Sequence, residues 1–120
     1  MCGISRAYKD LGNYVTARSY ARRALRTNSA YGLGWIALGE VYEASAESCV
    51  EKKKGKVEFN DKLVYELAAI QYRKALKDPE FSQEAERHLG YLQAVLPTKE
   101  DKFMHKGQKK PVGPCYAWIK

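Results

Sequence analysis

Trp35-Ile36-Ala37-Leu38-Gly39-Glu40-Val41-Tyr42 is the stretch that decides how this chain folds. Trp35, Leu38 and Tyr42 are spaced three and four apart, so on a helix they share one face. Gly39 sits within that face, where glycine costs about 1 kcal/mol of helix propensity against alanine. A residue that weakens its own helix is justified when a second helix must come so close that a Cβ has no room. The stretch therefore predicts one member of a tightly packed helix pair, and an all-α fold.

The pattern W-x2-L-G-x2-Y resembles the first helix of a tetratricopeptide (TPR) repeat, and the flanking sequence keeps the same register. Upstream, Gly12-Asn13-Tyr14 resembles the turn between the two helices of a repeat. Gly12 suits a left-handed C-cap and Asn13 an N-cap. Ala17, Ala24 and Leu25 match the small and aliphatic positions of the second helix. Run backwards, the register puts Tyr8 at the site of Tyr42, Ile4 at that of Leu38 and Met1 at that of Trp35, so the chain is expected to open within a repeat. Downstream, Ala68, Tyr72, Ala75 and Leu76 repeat the second-helix pattern. Tyr42 and Ala68 lie 26 positions apart where the repeat allows 9, an insertion of 17 residues. Residues 45–49 are expected to add helical turns, and residues 51–56, with Gly55, to form an exposed loop.

Asp78-Pro79 reads as an N-cap with proline at the first helical position. In the helix after it, Leu89-Gly90 falls where Leu38-Gly39 did, but Glu86 and Gln93 replace the aromatic pair, as in a terminal capping helix with a polar outer side. Pro97 ends that helix, and Thr98 to Asp101 can cap one further short turn. The chain divides into helical repeats over 1–96 (a truncated first repeat, a second with the insertion, and the capping helix) and a tail over 97–120. Gly107, Pro111, Gly113 and Pro114 make the tail irregular, with residues 115–119 as a candidate extended strand.

The resemblance implies a right-handed superhelix of antiparallel hairpins, about five helices, whose packing positions are Tyr8, Gly12, Ala17, Ala24, Trp35, Leu38, Gly39, Tyr42, Ala68, Tyr72 and Ala75. It also implies a non-catalytic scaffold that holds a protein or peptide in a concave groove lined by the first helix of each repeat. Here that selects Arg6, Lys9 and Asp10; Leu33, Ile36, Ala37, Glu40, Glu43 and Ala44; and Arg87, His88, Tyr91 and Val95. The mixture suits an amphipathic helix or extended peptide. The carboxylate clamp of chaperone-binding TPRs is not expected, because Cys2 and Ala37 stand at two of its positions. Ser48-Cys49, Val64-Tyr65, residues 97–101 with Phe103, and Trp118-Ile119 further resemble exported bacterial TPR proteins of undefined function, which implies a cell-envelope location.

Composition is compatible with this picture. The chain has 120 residues, enough for one domain, and 45% of them are hydrophobic. No apolar run is long enough to span a bilayer. Lys and Arg exceed Asp and Glu by 21 to 14, which favours acidic partners without identifying nucleic acid. Arg18, Arg22 and Arg26, with Arg23 beside them, make a ridge read as a solvated convex face, since no aromatic residue on it can stack a base. Lys52, Lys53, Lys54 and Lys56 are read the same way. Nucleic acid therefore ranks below a protein partner and below self-association through an exposed repeat end. Cys2, Cys49 and Cys115 lack metal-ligand spacing and are read as free thiols, with a Cys49–Cys115 disulfide as the alternative the exported relatives suggest. His88 and His105 have no nucleophile in their local sequence, and Glu84 and Glu86 diverge on a helix. No enzyme, metal or cofactor is expected.

Overall fold

Helices start and stop where capping chemistry allows. The computed structural model describes residues 2–119 and is all-helical over them, without a strand. Met1, aligned above with Trp35, lies outside the described residues. The first helix, α1 (Cys2–Asp10), ends at Gly12, whose φ of +79° is a left-handed conformation that glycine adopts freely. Asn13 then caps α2 (Tyr14–Thr27) by accepting the Thr16 amide at 3.3 Å. Next come α3 (Gly32–Lys52), α4 (Phe59–Ala75), α5 (Ser82–Leu92) and the short α6 (Lys99–Met104). Thr98 and Asp101 cap α6 reciprocally, each accepting the other's amide. No helix of the described residues is long and apolar enough to cross a membrane.

Each helix from α1 to α5 packs on the next, and α1 also packs on α3. The core is built from alanines on the outer helices and larger side chains between them. Ala17, Ala21, Ala68, Ala69 and Ala75 are fully buried, as are Ile36, Val41, Val64 and Tyr72. Burying each larger aliphatic side chain stabilises the fold by about 2 kcal/mol. The α3–α4 approach is the tightest. A Cβ on Gly39 would lie 2.6 Å from the Tyr72 ring, so only glycine fits there without displacing the ring. Leu38 and Tyr42 are buried, Tyr8 stacks on Tyr20, and Trp35 is only half-buried, at the edge of the core.

Three expectations need correction. Asp78 does not cap the helix that follows Pro79. It reaches across to accept the Gly32 amide at 2.8 Å, at the start of α3, and α5 begins only at Ser82. Within the supposed loop, residues 53–55 turn sharply, with Lys54 and Gly55 at positive φ, but Lys53 is not free. Its ammonium binds Glu58 and the fully buried Asp61, and these carboxylates outweigh the effect of burial and raise its pKa. Asp61 is the polar centre of the fold's far side: it also accepts the Glu58 amide at 2.8 Å and the Tyr116 hydroxyl.

The third correction concerns the tail, which forms neither a strand nor a loose end. Cys115 is disulfide-bonded to Cys49, 66 positions away, so these are not free thiols; Cys2 is free and buried. A 3-10 turn at Pro114–Tyr116 buries Tyr116. Trp118 lies against Tyr14 and Tyr42, with ring centroids 5.6 and 5.7 Å apart, and its indole donates to Ser45 Oγ at 2.9 Å. Arg18 covers the same indole: its guanidinium lies 5.0 Å from the Trp118 ring centre and donates to the Trp118 carbonyl. The first arginine of the ridge is thus taken up by the tail.

Candidate functional site

Side chains from α1, α3 and α5 meet on one side of the molecule. On α3, Glu40, Glu43 and Glu47 recur at three and four residues and so project from one face. Arg6 and Lys9 approach from α1, and Glu84 and His88 from α5. Arg6 Nε donates to Glu40 Oε1 at 2.9 Å, and its Nη2 lies 3.6 Å from Glu84. This one guanidinium ties three helices together. His88 Nδ1 stands 3.6 Å from Glu43, too far for a hydrogen bond, and has no hydrogen-bond partner among the described residues. The His88 ring stacks on Tyr72, centroids 4.4 Å apart, and the Tyr72 hydroxyl donates to Glu43 at 2.7 Å.

Between these groups lies a cleft of about 120 Å³ lined by Lys9, Glu40, Glu43, Ala44, Glu47 and His88. That is the room of one side-chain head group, far less than a docked helix needs. Its electrostatics are uneven. Burial pushes the Glu43 carboxyl up, but the neighbouring His88, the Tyr72 hydroxyl and Glu47 outweigh burial and hold it below its ordinary value. Glu47, exposed at the rim of the cleft, is pushed the other way, by partial desolvation and by the charge of Glu43 beside it, with Lys9 pulling against them. Two carboxylates a single turn apart are thus held where only one is comfortably ionised. The same carboxylates, with burial as the larger cause, push the Tyr72 hydroxyl far above its ordinary value.

Of the residues expected in a groove, the structure brings Arg6, Lys9, Glu40, Glu43, Ala44 and His88 together. It does not bring the others. Ile36 and Ala37 are 0% and 1% exposed and belong to the core, because α3 is packed by α1, α2 and α4 together. Leu33 borders a separate open pocket of about 540 Å³ at the start of α3, beside Cys2, Ala24 and Tyr31. Arg87 is exposed and Tyr91 is 75% exposed; neither lines the cleft. Asp10 is an exposed partner of Lys9, and Val95 lies in the turn after α5. Sequence reasoning missed Glu47 and Glu84. Glu47 was read as insertion, although its spacing from Glu40 and Glu43 was visible.

Comparison of the chain with protein-family models, with curated proteins and with solved structures gives no match. Among the described residues no group of three or more His, Cys, Asp or Glu side chains is arranged to hold a metal ion. The chemistry available to the cleft is therefore that of its own charges: an anionic recess about one head group wide, with Lys9 at its side.

Proposed function

We propose that this chain is a non-catalytic interaction module of TPR-like helix pairs, and that the α1–α3–α5 cleft receives a basic side chain of a protein or peptide partner. The observation that carries this reading is the Glu43–Glu47 pair in a recess already formed. Like charges one turn apart cost a helix a few tenths of a kcal/mol, and the partial burial of Glu43 adds to that cost. An arriving lysine or arginine removes it by neutralising Glu47. The packing of α1 on α2, of α1 on α3 and of α3 on α4, and the Gly39–Tyr72 approach, support the repeat-like reading. The disulfide agrees with an oxidising compartment.

The test is selection of binders from a random peptide-display library, followed by titration of one selected peptide against wild type and Glu47→Gln. Selected peptides are expected to carry a lysine or arginine whose replacement by glutamine abolishes binding, and Glu47→Gln is expected to weaken binding about tenfold. Failure to recover any peptide whose binding depends on a basic residue, or unchanged affinity of such a peptide in Glu47→Gln, would reject the assignment.

A second reading, self-association, is favoured by one observation. Ile4, Leu11 and Val15 are 45%, 80% and 52% exposed on α1 and the adjoining start of α2. Sedimentation of wild type and Leu11→Lys over a range of concentrations decides it, since stacking requires a dimer that the variant loses.

A further inference from the structure

The opposite side of the molecule holds a second recess that the cleft above does not involve. Between α2 and α4 lies an open cleft of about 450 Å³ whose floor is Leu25, Leu38, Tyr42 and the half-buried Trp35. A neighbouring hollow of similar size continues it past Trp35 towards Lys77. Arg22 and Arg26 stand on one wall, one turn apart on α2, and Lys74 and Lys77 stand on the other. All four are exposed, none takes part in an ion pair among the described residues, and no acidic side chain lines either hollow. Elsewhere Arg6, Lys9, Lys53, Lys62 and Lys102 are paired with carboxylates, and cations such as Lys54, Lys56, Arg73 and Arg87 are unpaired among the described residues as well; what sets these four apart is that they face one another across an apolar floor.

We infer that this cleft docks an acidic segment of another protein, with an apolar side chain on the Trp35–Leu25–Leu38 floor and carboxylates on the two cationic walls. Charge complementarity selects the sign of the partner, and the floor selects its amphipathic character. The geometry at Trp35 favours a polypeptide over nucleic acid. Lys74 Nζ already sits over the indole, 4.6 Å from its centre, and the indole N–H is committed to the Ser29 carbonyl at 2.8 Å, so one ring face and the ring's donor are unavailable to a base. The ridge on α2 gave no such signal in the sequence because the aromatic floor is supplied by α3.

The probe is a fluorescein-labelled pentapeptide, Glu-Glu-Leu-Glu-Glu, titrated by anisotropy against the intact disulfide-bonded chain, with a glutamine-for-glutamate peptide and a single-stranded oligonucleotide beside it. Saturable binding of the acidic peptide is expected, weakening as salt is raised. Arg22→Ala with Arg26→Ala, and separately Lys74→Ala with Lys77→Ala, are each expected to lower affinity about tenfold. Lys54→Ala with Lys56→Ala removes the same charge from the α3–α4 turn and is expected to change it less than about twofold. Trp35→Phe separates packing on the floor from charge alone and is expected to weaken the leucine-containing peptide more than a serine-substituted one. Equal losses in the cleft and turn variants, or no saturable binding, would overturn the proposal. Tighter binding of the oligonucleotide would transfer the cleft to nucleic acid, and a concentration-dependent dimer lost in the arginine variant would transfer it to a second copy; either result also overturns it.

Discussion

Gly39→Ala and Gly34→Ala form a matched pair of perturbations on α3. Both replace a glycine inside the same helix, so both gain about 1 kcal/mol of helix propensity. They differ in what the new methyl meets. At Gly34 the nearest atoms are Leu25 Cδ2 at 2.9 Å and Cγ at 3.1 Å, on a buried side chain that borders the open α2–α4 cleft and can yield into it. At Gly39 it is the Tyr72 ring, with three of its atoms at 2.6–2.9 Å. Carbon atoms rest at about 3.5–4.0 Å, so the ring must retreat by about 1 Å. It has little freedom to do so, being 0% exposed, stacked on His88 and hydrogen-bonded to Glu43. Overpacking of a rigid site costs about 1–3 kcal/mol. Gly34→Ala should therefore be neutral or stabilising, whereas Gly39→Ala should lose up to about 2 kcal/mol net, or up to about 8 °C in Tm for a chain of this length. Thermal unfolding followed by far-UV circular dichroism measures both. In a Tyr72→Leu background the Gly39→Ala penalty should shrink by more than about 1 kcal/mol, because the opposing ring is gone. Equal stabilities for the two alanine variants, or no coupling to Tyr72, would refute the steric account of the α3–α4 contact.

Other outcomes follow from the tail and the cleft. Cys115→Ser opens a covalent loop of 66 positions, and chain-entropy reasoning gives a loss of about 4 kcal/mol, or about 15 °C in Tm. Thiol titration of the denatured, unreduced chain should find only Cys2 reactive. Tyr116→Phe leaves buried Asp61 with Lys53 and the Glu58 amide but without its hydroxyl partner, so denaturant unfolding should report a loss of about 1.5–3 kcal/mol. Glu47 has a folded-state pKa above its ordinary value, so its destabilising effect is absent below the unfolded pKa and present once pH passes the folded one. Glu47→Gln should then stabilise the chain by a few tenths of a kcal/mol near neutral pH and by nothing below pH of about 4, which differential scanning calorimetry at both pH values can verify.

What could be seen in advance was local. Gly12, Asn13, Gly39 and the Thr98–Asp101 box announce turns, caps and a close approach through the identity of one residue and its immediate neighbours, and the helices stand accordingly. What could not be seen was which side of a helix its neighbours leave open. Ile36 and Glu40 are four apart and share a face of α3 in any helical projection, yet one is fully buried and the other faces Arg6. The division between them is drawn by the helices packed against α3, and no single helix encodes that. Cys49 and Cys115 carry no pairing signal in their spacing; the disulfide forms because Tyr116 and Trp118 find Asp61 and Tyr42 on the folded surface and bring the tail back. The arginine ridge divides for the same reason. Arg18 is claimed by a tryptophan 100 positions away, while Arg22 and Arg26 are left facing a tryptophan from the next helix. A basic ridge on one helix says little, but a basic ridge opposite two lysines across an aromatic floor specifies the charge and polarity of what it can hold. Function in this fold is therefore read from the gaps between helices, and those gaps are fixed by contacts that join distant parts of the chain.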